Sequence, residues 1–266
     1  MTTFAPFSEV QVLGSRIRYR DLDGSGTPLV FIHGGGLSLD YWEKILNSLE
    51  GHRRIALDLI GHGGSDKPDL SYDIECHRKY LLAFMDSLDI SRAFLVGHSY
   101  GGVIAAWIAA KSPERVVAPL IIQAPGIPGS MQSPWPKDLF LRPGPLNRFL
   151  FAITGTSIYR ALFPQKQHRQ TLGLTNSIFN EAYTNALGQV THPTLILMSR
   201  GDDRVRFSSR DEYLELVDRA EFHELPPEAG HMAPRRYPEG TAELIADFVS
   251  RHDPEEATGE TPSDRG

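Results

Sequence analysis

Short apolar runs alternate with amphipathic stretches along most of this 266-residue chain. Val10 to Leu13 and Ile17 to Asp21 flank Gly14-Ser15, a hairpin signature, and Asp23-Gly24-Ser25-Gly26-Thr27-Pro28 turns the chain into the buried run Leu29 to Ile32. From there the period switches between two and 3.6. Strands are predicted at Arg54 to Leu59, Ala93 to Val96, Val116 to Gln123, Thr194 to Met198 and Glu221 to Leu225. Helices are predicted at Tyr41 to Leu49, Ile74 to Leu88, Val103 to Ala110, Ser209 to Val217 and Thr241 to Arg251. Such alternation predicts an α/β protein, with a mostly parallel sheet covered by helices on both faces.

The rhythm stops between Gly126 and Gln189, where Pro128, Pro134, Pro136, Pro143, Pro145 and Pro164 break up short apolar pieces such as Leu146 to Ile153. This stretch is predicted to be a helical cap inserted between two strands of one sheet, covering a cavity. The organisation expected is therefore one core from residues 1–125 and 190–252, a cap at 126–189, and a polar, disordered tail at 253–266.

Composition narrows the function classes. At 41% hydrophobic and 23% charged, with a formal net charge of -6, the chain has a globular balance and lacks the basic excess of a nucleic-acid binder. No run of about 18 apolar residues suggests a membrane span, and Met1 to Val10 does not read as a signal peptide, so a cytoplasmic protein with a small-molecule partner is expected. Cys76, the single cysteine, excludes an intrachain disulfide and reads as a helix-packing thiol.

The stretch with chemical content is Gly97-His98-Ser99-Tyr100-Gly101-Gly102. An apolar strand enters it and an alanine-rich helix leaves it, which is the context of a G-x-S-x-G nucleophile elbow. The flanking glycines allow a tight turn that exposes the Ser99 hydroxyl, and the Tyr100 N–H, at the helix start, can act as an oxyanion donor. A serine needs a base, and the base needs an acid. Two later strands supply both at their carboxyl ends: Asp202 and Asp203 follow Thr194 to Met198, and His231 follows Glu221 to Leu225.

In this order, Ser, Asp, His, the sequence resembles the α/β-hydrolase fold family. His33-Gly34-Gly35-Gly36 and Asp58-Leu59-Ile60-Gly61-His62-Gly63-Gly64-Ser65-Asp66-Lys67-Pro68 resemble two further segments of that family. The resemblance implies an eight-stranded sheet with a cap after the sixth strand. It also implies Ser99 as nucleophile, His231 as base, Asp203 as acid in preference to Asp202, and the Gly35 and Tyr100 amides as oxyanion hole. Asp203 is preferred because Arg204-Val205 follows it, although Gly201 then stands one residue too close for the family pattern. His33, Gly34 and Gly36 are expected at the substrate, with His33 and His62 bracing the loops. Trp135, Phe140 and Phe149 are candidates for an apolar wall. No His pair has metal-ligand spacing and no glycine run fits a nucleotide loop, so no metal and no cofactor are implied.

The expected activity is hydrolysis of a carboxylic ester, thioester or lactone bearing an apolar group, through an acyl-enzyme on Ser99. Alternatives on the same residues are C–C bond hydrolysis, a lyase or a natural-product tailoring reaction; a non-catalytic ligand receptor is the alternative of another class.

Overall fold

The computed structural model describes residues 6–125, 130 and 181–255. Eight strands form one sheet: β1 (Ser8–Val12), β2 (Ser15–Leu22), β3 (Ser25–Ile32), β4 (His52–Leu57), β5 (Ala93–His98), β6 (Val116–Ile122), β7 (Thr194–Ser199) and β8 (Ala220–Leu225). Their spatial order is β1-β2-β4-β3-β5-β6-β7-β8. The β1–β2 and β2–β4 pairs are antiparallel, and every pair from β4 across to β8 is parallel.

The hairpin joining β1 to β2 turns on Leu13 (φ 49°) and Gly14 (φ 76°), a pair of positive dihedrals that matches the twist of the strands it joins. β3 begins four residues before the predicted run, because Ser25 pairs with His52 before an irregularity at Leu29 restores the parallel register.

Helices cover both faces. Residues of the central strands alternate between two apolar cores as the period of two requires. Val30, Ile32, Leu95, Ile196 and Met198 face one core, with α2 (Ile74–Ser87), α3 (Tyr100–Lys111) and α4 (Glu181–Leu187). Leu29, Phe31, Phe94, Val96, Leu195 and Leu197 face the other, with α1 (Glu43–Ser48) and α7 (Pro238–His252). The short helices α5 (Ser209–Leu216) and α6 (Ala233–Arg236) follow β7 and β8.

Two expected boundaries shift. Tyr183 and Leu187 of α4, placed in the cap from the sequence, are buried in the same core as α3. They contribute to the main body because their aromatic and aliphatic surfaces are removed from water there. Asp253, the first residue of the expected tail, is tied to the core. Asp253 is 3% exposed and accepts hydrogen bonds from Thr27 N (3.1 Å) and Thr27 Oγ1 (2.6 Å). The rest of the expected cap, including Trp135, Phe140 and Phe149, lies outside the described residues, as do residues 256–266.

Replacing Asp253 with Ala leaves the buried Thr27 donors unpaired, at a cost of about 1–3 kcal/mol. The expected result is a lower urea midpoint at unchanged m-value; an unchanged midpoint would show that the bond adds nothing to stability.

Candidate active site

β5 is buried along its whole length and runs straight into Ser99, which is held at φ 52°, ψ -119°. Close packing forces that conformation. A Cβ at position 97 would lie 2.2 Å from the Gly101 carbonyl oxygen, and one at 101 would lie 2.0 Å from the Ile32 oxygen of β3. Only glycine fits at both. The strain of such a residue, about 1–3 kcal/mol, is offset by main-chain bonds: Ser99 N donates to Ile122 O at 2.9 Å, and Gly102 N to Ser99 O at 2.9 Å. Ser99 is half-buried between His98 and Tyr100, which are fully buried. Tyr100 is the first residue of α3, so its amide belongs to the helix turn that has no intrahelical acceptor of its own.

The loop after β3 lies directly against this turn. A Cβ on Gly34 would stand 3.1 Å from Ser99 Cβ, whereas Gly35 and Gly36 are exposed. The candidate oxyanion donor Gly35 thus follows directly on the residue that lies against the candidate nucleophile Ser99. His33, expected at the substrate and also as a brace of the loops, is 0% exposed and acts as a brace. Leu59 N donates to its Nε2 (3.1 Å), so the ring proton sits on Nδ1 and is donated to Gly34 O (2.8 Å). Both ring nitrogens are thus occupied in tying the glycine loop to the loop after β4.

Asp58 reinforces the same joint. Its fully buried carboxylate accepts from Leu39 N (2.7 Å), Gly64 N (2.7 Å) and Arg18 Nε (2.6 Å). The charge is compensated by a guanidinium and two main-chain donors, the condition for burying it.

The carboxylate that pairs with His231 is that of Asp202, not of the expected Asp203. His231 Nδ1 lies 2.9 Å from Asp202 Oδ2 and 3.1 Å from Oδ1, with both side chains buried. The physical reason lies in the turn after β7. Asp202 N donates to Ser199 O (3.1 Å), and the carboxylate folds back to accept from Arg204 N (2.7 Å) and Val205 N (2.9 Å). Asp203, one position on, is exposed. Carboxylate oxygens only accept, so His231 donates from Nδ1 and presents its lone pair at Nε2, the orientation of a general base.

The loop carrying His231 is held from three strand ends, which sequence reasoning missed. His98 Nε2 is 2.7 Å from the His231 carbonyl oxygen. Gln123, just past β6, donates from Nε2 to Gly230 O (2.6 Å) while its Oε1 accepts from Ser199 N (3.2 Å). Ser199 Oγ, at the end of β7, donates to Pro226 O (2.8 Å). Residue 98 fills the variable position of the elbow, so its motif gave no signal; Gln123 announced itself only as an amide at the end of an apolar strand. A buried acceptor leaves His98 one role, donating from Nε2 as a neutral ring.

Four buried histidines surround the site. Burial pushes the pKa of His33 down to about 4 and those of His62 and His98 to about 3, and sends His77 well below its ordinary 6.5; neighbouring histidines add to the effect for His62, His77 and His98. His62 lies between His33 and His77, with ring centroids 5.3 Å and 6.0 Å away. Neither nitrogen of His77 has a hydrogen-bond partner among the described residues. Among the described residues no group of three or more His, Cys, Asp or Glu is placed to hold a metal ion. Cys76 is half-buried on α2, and burial raises its thiol pKa.

Two outcomes are expected. Asp202→Asn should lower kcat by about 10³–10⁴, as loss of the tautomer-fixing carboxylate does in a triad, while Asp203→Asn should stay within about two-fold. Steady-state kinetics of the two variants decides this, and equal losses would refute the assignment. Acid should also destabilise the fold. The unfolded chain takes up protons at the four histidines below about pH 6.5, whereas the folded chain refuses them down to about pH 4, so stability present above pH 6.5 is lost as pH falls. Urea midpoints measured from pH 7.5 to 4.5 should fall, with a shallower slope in His77→Phe.

Comparisons with known proteins bear on the fold. A family model described as alpha/beta hydrolase fold matches residues 27–154. A haloalkane dehalogenase of Agrobacterium fabrum is 43% identical over 96 residues, 36% of this chain and 32% of that protein. The 2-hydroxymuconate semialdehyde hydrolase of Pseudomonas sp. strain CF600 is 27% identical over 276 residues, 92% of this chain and 94% of that one. The chain thus matches only about a third of the length of the first of these relatives and nearly all of the second. A meta-cleavage product hydrolase structure from Pseudomonas fluorescens IP01 shares the fold, with a TM-score of 0.74, 23% identity and coverage of 92% of this chain and 97% of that one. With the sheet order, the turn at Ser99 and these likenesses together, the chain has the alpha/beta hydrolase fold.

Proposed function

We propose that the protein is a serine hydrolase that cleaves a carboxylic ester, thioester or lactone through an acyl-enzyme on Ser99. The observation that carries this reading is the His231–Asp202 pair at 2.9 Å, on a loop that His98, the neighbour of Ser99, ties to the elbow. Ser99 Oγ attacks the substrate carbonyl carbon while His231 Nε2 takes its proton. The carbonyl oxygen becomes an oxyanion and receives hydrogen bonds from the Gly35 and Tyr100 amides, worth about 3 kcal/mol for each donor. His231 returns the proton to the leaving oxygen or sulfur as the bond breaks. Water, deprotonated by the same ring, then attacks the acyl carbon and Ser99 departs with the proton.

C–C bond hydrolysis is a second reading, favoured by the near-full-length likeness to the 2-hydroxymuconate semialdehyde hydrolase. It would use the same groups, with a carbon leaving group protonated in place of an alcohol. Dehalogenation, the activity named for several shorter matches, does not suit Ser99. Displacement of halide by a serine oxygen would give an ether, which water does not cleave, whereas an ester intermediate is hydrolysable.

Ser99→Ala should lower kcat on p-nitrophenyl esters by at least about 10³-fold. The wild-type chain should be labelled on Ser99 by a fluorophosphonate. Unchanged turnover in the variant, or no labelling of the wild type, would refute the reading; turnover of a ring-fission diketone but of no ester would move it to the second.

A further inference from the structure

Two side chains with no part in the proposed proton transfers bind consecutive main-chain carbonyls of the loop that carries His231. Gln123 Nε2 donates to Gly230 O (2.6 Å), and His98 Nε2 to His231 O (2.7 Å). These oxygens belong to the two peptide units on either side of the His231 Cα. Each unit is planar, so a hydrogen bond that fixes its carbonyl orients the whole plane. With both planes held, φ and ψ of His231 have little freedom and its Cα–Cβ bond points one way. The remaining torsions of the ring are set by the bond from Nδ1 to Asp202 Oδ2, at 2.9 Å.

Both donors are themselves held in place. Gln123 is 0% exposed and stands at φ 48°, a left-handed conformation that a residue with a Cβ keeps only where its surroundings over-determine it. Here they do: its N–H donates to Leu197 O (2.9 Å) and its Oε1 accepts from Ser199 N (3.2 Å). A carboxamide donates and accepts at once, which neither a carboxylate nor a hydrocarbon of that length can do. The buried ring of His98 packs against those of Tyr41 and His231, with centroids 4.6 Å and 5.0 Å away, and burial keeps it neutral. Gly230 lets the two loops close. It lies at φ 53°, ψ -156°, and a Cβ there would meet Arg236 Nη1 at 3.0 Å and Gly201 O, in the turn that bears Asp202, at 3.3 Å.

We propose that His98 and Gln123 are positioning residues that act as one clamp on the peptide planes flanking His231, fixing the imidazole in the orientation in which Nδ1 meets Asp202. They act on the reaction only through the base. The kinetic consequence of the clamp rests on the hydrolase reading above, whereas its structural consequence rests on the His231–Asp202 pair alone, so the two can fail separately.

Proton NMR reads the clamp without substrate. The His231 Nδ1 proton, held by a buried carboxylate, should resonate far downfield in the wild type, and Asp202→Asn should remove the signal. His98→Phe keeps a ring and loses the donor; Gln123→Met keeps the length and loses donor and acceptor. In both, the resonance should broaden or vanish while the circular dichroism spectrum stays native. Their kcat on a p-nitrophenyl ester should fall about 10²-fold, the loss expected of a reacting group misplaced by about 1 Å, with KM within about two-fold. His98→Gln, whose amide can reach the same carbonyl, should recover most of the rate. One clamp needs both points, so the double variant should lose little more than the worse single one. Wild-type resonance and rate in His98→Phe and Gln123→Met overturn the proposal, whatever happens to the melting temperature, and so does a double variant whose losses multiply. His98→Asn and Gln123→Asn, polar but too short to reach the carbonyls, replace any variant that does not fold. If the wild type turns over no ester, the hydrolase reading fails and the resonance alone decides the clamp.

Discussion

Contact between bare main chains around Ser99 is the constraint on which the rest of the site depends. β5 cannot leave the sheet, turn and start α3 within so few residues unless positions 97 and 101 carry no side chain, because the Ile32 and Gly101 carbonyls occupy that space. Once they are bare, β3, β5 and α3 close on one another and Ser99 is forced to positive φ at the carboxyl edge of the sheet. Everything else is arranged around that fixed point. The glycine loop comes from β3, Asp202 follows β7 and His231 follows β8, and neighbouring strands in register set their spacing.

Precision in the base comes from a different source. The His231 loop has no regular structure beyond a short 3-10 turn, so its own main chain could not hold an imidazole to a fraction of an ångström. Side chains at the ends of β5, β6 and β7 hold it instead, each accepting or donating one hydrogen bond at a buried site. In that setting each bond is costly to lose, since water cannot replace it. The buried histidines follow the same logic, working as neutral hydrogen-bonding and packing rings whose neutrality is a consequence of burial.

The fold was largely legible in the sequence, because alternation of period is a property of each strand and helix by itself. The turn at Ser99 and the position of His231 were legible for the same reason, each being set by a local strand end. The carboxylate that pairs with His231 was not. Whether Asp202 or Asp203 turns inward depends on a bond from Asp202 N to Ser199 O and on two amides further along, a three-dimensional detail that the motif's downstream residues, Arg204-Val205, misreported. His33, expected both at the substrate and as a brace of the loops, is fully buried and braces them, because position beside the glycine loop does not by itself reveal burial. His98 and Gln123 escaped notice because their partners are 133 and 107 residues away and are main-chain carbonyls, which carry no sequence signature.

The bond between Thr27 and Asp253 joins positions 226 residues apart. Thr27 opens the central part of β3, the strand that supports both the glycine loop and the turn at Gly101. Asp253 follows α7, whose apolar side covers the sheet face shared by Leu29, Phe31 and Phe94. During synthesis on the ribosome, then, β3 stays open on one face until α7 has emerged. Closure of this core waits for α7, and a nascent chain stalled before it would present that bare apolar face to chaperones.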